Sequence, residues 1–135
     1  IEPIPPNSMM PAFTQNFEYR VSNDGFPMMG DARQSLKSSG WIDFKLPTAR
    51  NSLLVVGLLD AWWPAVLCAA KTPRPMGTVS FTADFLRLPN ANDGPFYLEI
   101  ETDHVVEGYA LEIDRLWNQD GELLAQAQQR IAVIK

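Results

Sequence analysis

From Met76 to its end, the chain alternates apolar and polar residues with a period of two, in four successive stretches. In "GTVSFTADFLRL" the residues Val79, Phe81, Ala83 and Phe85 share one side. In "GPFYLEIETDHV" Phe96, Leu98 and Ile100 stand opposite Tyr97, Glu99, Glu101 and Asp103. In "EGYALEIDRLW" Tyr109, Leu111 and Ile113 stand opposite Ala110, Glu112 and Asp114. "NQDGE" carries the Asp-Gly signature of a hairpin turn, and "ELLAQAQQRIAVIK" closes the chain as a last strand. Four consecutive antiparallel strands leave an apolar sheet face that something must cover. The one long apolar segment, "SLLVVGLLDAWWPAVLCAA" from Ser52 to Ala70, is the natural cover. The pattern predicts an α+β fold, an antiparallel sheet with one long helix against it.

Upstream, "AFTQNFEYRVS" (residues 12–22) reads as a strand with Phe13, Gln15, Phe17, Tyr19 and Val21 on one face. "NDGFPMMGDARQSLKSSG" (23–40) has turn residues at both ends and reads as a loop excursion, and "WIDFKL" (41–46) as a short strand. The helix is expected to start near "LPTARNS", with Thr48 as N-cap, and to be buried on most sides. Pro64 stops or kinks it, and "KTPRP" (71–75) is a connector.

Asp60 is the single charge in the apolar segment. An unpartnered buried carboxylate costs several kcal/mol or takes up a proton, so the position needs an explanation. A membrane span is disfavoured by Asp60 itself, by Pro64 and by the lack of a basic flank. Two readings remain: an acid near the helix end that faces solvent, or a working acid. The last strand bears on the choice. Leu123, Ala125, Ala127, Ile131 and Val133 share a face with Gln129, while Gln126, Gln128 and Arg130 point the other way. An inward amide has donors and acceptors to satisfy, at about 1–3 kcal/mol for an unpaired group. If that strand lies over the helix, Gln129 and Asp60 satisfy each other, and an ionised Asp60 can hold a water as general base. Gly57, one turn earlier, leaves room for a ligand or for close packing.

Composition narrows the classes. The chain has 135 residues, one domain's worth, with 46% hydrophobic and 20% charged residues, as in ordinary globular proteins. A net charge of −5 with no basic run argues against nucleic-acid binding, while leaving room for an anionic ligand such as a nucleotide. One cysteine, Cys68, excludes an internal disulfide and fits a buried thiol in a reducing, cytoplasmic compartment. The opening "IEPIPPNSMMP" reads as an extended arm or linker over residues 1–11, ahead of a domain at 12–135, and suggests a chain cut from something longer or lacking its start. His104 is the only histidine and no Gly-x-Ser-x-Gly elbow exists, which leaves little for a nucleophilic triad or a zinc site. Glu99, Glu101 and Asp103 read as a solvated strand face, Trp62 and Trp63 as core, and Lys71 and Arg74 as residues able to meet phosphates.

The succession "LLDAWWPA", "MGTVSFTADF" and "NQDGELLAQAQQ" resembles the carboxyl-terminal hot-dog half of the acyl-CoA thioesterase II family, over roughly residues 12–135. The resemblance implies a hot-dog fold, a sheet wrapped around one central helix. It implies hydrolysis of acyl-CoA thioesters without metal or redox cofactor, coenzyme A entering only as part of the substrate. It also implies a second hot-dog domain, in the same longer chain or in a dimer with another subunit, and a place in lipid metabolism. On the matching positions the family's water-holding residues fall on Asp60, Thr78 and Gln129. By parity Thr78 lies with Ser80, Thr82 and Asp84 on the polar side of its strand, so it joins the site only through a bulge or an open sheet edge. The alternative is a non-catalytic hot-dog module that binds acyl chains or acyl-CoA and supports a partner domain. A hydratase ranks lower, because His104 is not at the helix where an Asp-His or Glu-His pair would need it.

Overall fold

The computed structural model describes residues 2–5, 10–22, 36–70, 72 and 74–134. Among the described residues six strands form one antiparallel sheet: β1 (Phe17–Val21), β2 (Lys37–Phe44), β3 (Met76–Phe85), β4 (Phe96–Val106), β5 (Tyr109–Trp117) and β6 (Leu123–Val133). One helix, α1 (Ser52–Asp60), and a 3-10 turn over Ala65–Ala69 pack on its covered face. The strand order is β1-β2-β4-β5-β6-β3. The expected four-strand meander is therefore corrected: β3 does not pair with β4 but crosses to the outer side of β6. Alternation reports which residues share a face, not which strand is the neighbour. The chain after β3 leaves along β6, where Leu86 and Arg87 both donate backbone N–H groups to Leu124 O.

Two further boundaries move. Ala12–Asn16 is a 3-10 turn rather than strand, because Thr14 turns back on Pro11, donating from N at 3.0 Å and from Oγ1 at 2.7 Å to its carbonyl. Strand begins at Phe17, and the expected inward pair Phe17 and Tyr19 is buried. Most of the expected loop excursion, 23–35, lies outside the described residues; its last part, Lys37–Gly40, is the start of β2. Gly40 is required there: a Cβ would sit 2.4 Å from Arg20 O and 2.8 Å from the Trp62 ring.

The helix starts later than Thr48. Asn51 is the N-cap, its Oδ1 accepting from Leu54 N at 3.1 Å, while Thr48 Oγ1 donates to Leu46 O instead. Ahead of it, Arg50 grips Asp43 of β2 with two hydrogen bonds of 2.9 Å and lies over the Phe96 ring. Instead of one long helix there are nine residues, ended by Ala61 as C-cap. Pro64 then precedes the separate 3-10 turn. By length and hydropathy alone residues 52–69 pass as a membrane-crossing segment, but 56% of that window is buried inside the fold, as in a core helix. Burial is also less complete than expected. Leu54, Val55, Leu58 and Leu59 face the sheet, whereas Leu53, Val56 and Asp60 form an exposed stripe.

Under β1, β2 and β4 the core is aromatic. Tyr19 packs against Trp63 and Trp62 with ring centroids 4.7 and 5.6 Å apart, and its hydroxyl donates to Ala61 O at 2.9 Å. Trp62 Nε1 donates to Ser38 Oγ at 2.9 Å. Both tryptophans are thus core residues, and the indole N–H of Trp62 is satisfied.

Candidate active site

Under β5, β6 and β3 the same covered face turns polar. The β5–β6 register sets Glu112 opposite Gln129 and Asp114 opposite Ala127. Cross-strand partners share a face, so Ala110, Glu112, Asp114 and Leu116 all point inward with Ala125, Ala127, Gln129 and Ile131. Asp114 is 0% exposed, Glu112 2% and Gln129 5%. The outward side of β5 is Tyr109, Leu111, Ile113 and Arg115.

Hydrogen bonds tie these groups to their neighbours. Ala65 N–H, at the start of the 3-10 turn, donates to Glu112 Oε2 at 2.6 Å. Gln129 Nε2 donates to Asp114 Oδ2 at 2.6 Å. Thr78 Oγ1 donates to Gln129 Oε1 at 3.2 Å. Glu112 and Asp114 stand two residues apart on the same face of β5, and each carboxyl acts on the other electrostatically. Gln128 is exposed and Gln126 accepts from Arg115 Nε on the outer side, so Gln129 is the glutamine that faces inward.

Both conditions set for Thr78 are met. β3 is an edge strand. Its register against β6 shifts between Thr78 and Ser80, pairing Thr78 with Ile131 but Ser80 with Arg130. The extra residue, Val79, is pushed outward to 58% exposure, and Thr78 swings to the side of Ile131 and Gln129.

Asp60 sits on the last residue of α1, its side chain exposed, beside an open cavity of about 180 Å³ lined by Phe13, Phe17, Val56, Gly57 and Ala61. The expected direct pairing of Asp60 with Gln129 is not what the structure has: Asp114 takes the Gln129 amide, because it lies on the adjacent strand of the same sheet. Asp60 acts on this cluster through its charge, which raises the carboxyls of Glu112 and Asp114.

The electrostatics follow from burial of like charges. Glu112 is held well above the ordinary glutamate range by burial first and the Asp114 charge second, with the Ala65 N–H pulling the other way. Burial lifts Asp114 to about 6, against the hydrogen bonds from Gln129 and Glu112, which lower it. Asp60 is also raised by desolvation, which makes it a stronger base than a free aspartate.

Other candidates fall away from this cluster. His104 Nδ1 lies 2.8 Å from Asp103 Oδ2, exposed near the end of β4. Glu99 and Asp103 are exposed and Glu101 pairs with Lys37. Arg74 is exposed, and Lys71 lies outside the described residues. Cys68 is buried, as expected, in no disulfide, its Sγ donating to Lys37 O at 3.6 Å. Among the described residues no cluster of three or more His, Cys, Asp or Glu is placed to hold a metal ion. Sequence reasoning missed Glu112 and Asp114, although the hairpin register contained the signal.

With this geometry in place, the comparisons are specific. The family model of the acyl-CoA thioesterase C-terminal domain matches residues 2–133, and the chain belongs to that family. Its fold is the hot dog. A hot-dog protein from Alicyclobacillus acidocaldarius, titled as of unknown function, superposes with a TM-score of 0.78 at 24% identity, covering 100% of this chain and 55% of its own. A protein described as a candidate thioesterase II from Thermobifida fusca YX gives 0.81 at 22% identity, covering 98% and 50%. A Streptococcus mutans UA159 protein solved bound to acetyl CoA gives 0.60 at 13% identity, covering 86% and 88%. The chain thus spans about half the length of the first two structures. No curated protein matches it.

Proposed function

We propose that this domain hydrolyses acyl-CoA thioesters. The observation that carries the reading is the Thr78–Gln129 pair, formed across the β3 bulge and bonded to Asp114, whose carboxyl feels the charge of Asp60 at the end of α1. Asp60 removes a proton from a water held by Gln129 and Thr78. The resulting hydroxide adds to the thioester carbonyl carbon, with backbone N–H groups stabilising the oxyanion. Collapse of the tetrahedral intermediate breaks the C–S bond, and the proton held by Asp60 passes to the departing sulfur, releasing a carboxylic acid and the coenzyme A thiol. No metal or redox group takes part in these steps; coenzyme A is half of the substrate.

A second hot-dog domain, in a longer chain or as a dimer partner, completes the site. Supporting this are the ten-residue free edge of β3 and its exposed Val79 and Phe85, the exposed Leu53 and Val56 of α1, and the length relation to the two half-matched structures. The lone buried thiol accords with a cytoplasmic enzyme of lipid metabolism.

A non-catalytic acyl-CoA-binding module is the second reading, favoured by the exposure of Asp60 and its lack of a direct bond to Gln129. Thioester hydrolysis by the partnered protein separates the two. Turnover that disappears in Asp60→Asn, with coenzyme A binding retained, supports the enzyme. Binding with no turnover, or turnover indifferent to Asp60→Asn, supports the module.

A further inference from the structure

Two carboxyl groups buried in contact on one strand face cannot both ionise cheaply, and nothing in the proposed hydrolysis uses either of them. Asp114 Oδ1 is buried and meets no N–H or hydroxyl donor among the described residues. The polar group left to serve it is the neighbouring Glu112 carboxyl, whose Oε2 is already taken as acceptor by Ala65 N–H. If Glu112 carries a proton on its other oxygen, that O–H donates to Asp114, and every polar atom of the pair is satisfied.

We propose that Glu112 and Asp114 share a single proton at neutral pH, carried by Glu112, and together act as positioning residues for the amide of Gln129. Ionised Asp114 accepts only, so it fixes the NH2 end of Gln129 toward itself and leaves Oε1 for the Thr78 hydroxyl. The second Nε2 hydrogen is then the donor free for a bound water. Without the negative partner the amide can flip, and the site presents an acceptor where a donor is needed. The groups facing the pair are Asp60 from α1, the Ala65 amide from the 3-10 turn, Gln129 of β6 and, through it, Thr78 of β3. None of these is a cation able to hold both carboxylates ionised. The raised affinity of Glu112 for its proton agrees with the geometry.

The role in positioning rests on the hydrolase reading; the shared proton does not, and the experiment separates them. Infrared spectra of the full chain at neutral pH are expected to show a protonated carboxyl band that persists in Asp60→Asn and vanishes in Glu112→Gln. A neutral-pH spectrum without that band, or a band surviving Glu112→Gln, overturns the shared proton, and the wild-type spectrum alone decides if the variant does not fold. By nuclear magnetic resonance, the Gln129 side-chain amide signals are expected to shift in Asp114→Asn; unmoved signals overturn the orienting contact. In the partnered protein, Glu112→Leu is expected to lower kcat about tenfold with little change in KM, and Glu112→Gln, which restores a donor to Asp114, to recover it. Loss of kcat in Glu112→Leu without that rescue reduces Glu112 to a packing residue. Absent turnover in the wild type, with band and amide shifts as expected, defeats the hydrolase reading and leaves the proton pair standing.

Discussion

The two halves of the covered sheet face do opposite things with burial. Under β1, β2 and β4, Tyr19, Trp62, Trp63, Ile42 and Phe96 fill the space, the Tyr19 hydroxyl and the Trp62 indole N–H find local partners, and the Thr102 hydroxyl is buried without one. Under β5, β6 and β3, the fold buries two acids and an amide. Apolar burial of the first kind stabilises, by about 25 cal/mol for each Å² removed from water. Buried acids in contact contribute little or cost stability, even when bonded. On the proposed function, burying them at the expense of stability is the physical reason to place the site in that half.

That contrast can be broken in several places. The largest effect is expected in the apolar half: Leu58→Ala, at a fully buried helix position, costs about 2–5 kcal/mol by urea denaturation. In the polar half, Asp60→Asn is expected to reduce thioester turnover by about a hundredfold or more while leaving the unfolding midpoint nearly unchanged. Replacing Glu112, Asp114 and Gln129 together by Met, Leu and Leu is expected to leave stability equal or improve it by about 1–4 kcal/mol, with turnover lost. A large loss of stability in this triple variant would show the polar half to be structural.

The pH dependence carries a sign. The native state holds protons on Asp114 and Glu112 that the unfolded chain releases at the ordinary, lower values. Stability is therefore fully present below about pH 4 and falls as pH rises through about 6, where Asp114 ionises, with a further fall where Glu112 does. Unfolding midpoints at pH 5 and pH 7.5 check this; a midpoint that rises between them contradicts it. The smallest effect is expected at the edge strand. Thr78→Val, which removes one 3.2 Å bond to Gln129, should slow turnover about tenfold or less, and Thr78→Ser should restore most of it.

Much of the fold was legible because periodicity reports faces. Phe96, Leu98 and Ile100 face inward as read, the Asp-Gly turn joins β5 to β6, and the apolar segment lies in the core. The acids on β5 were equally within reach. Counting back from an Asp120-Gly121 turn of two residues sets Glu112 opposite Gln129 and Asp114 opposite Ala127, the pairs observed, although in the structure Trp117 pairs with Leu123 and a register shift beside Leu116 restores that count. Since Ala127 and Gln129 read as inward, so must the two acids. The habit of sending charges outward hid this.

By itself the sequence determined which residues alternate, where one apolar helix had to lie, and that Gln129 shares an aliphatic face, because side-chain direction along a strand is set by local backbone geometry. Tertiary structure alone decided three things: that β3 crosses to the β6 edge, that the bulge at Val79 turns Thr78 inward, and that Asp114 rather than Asp60 receives the Gln129 amide. Each depends on which strand lies beside which and in what register, and those pairings are chosen by the packing of the whole sheet.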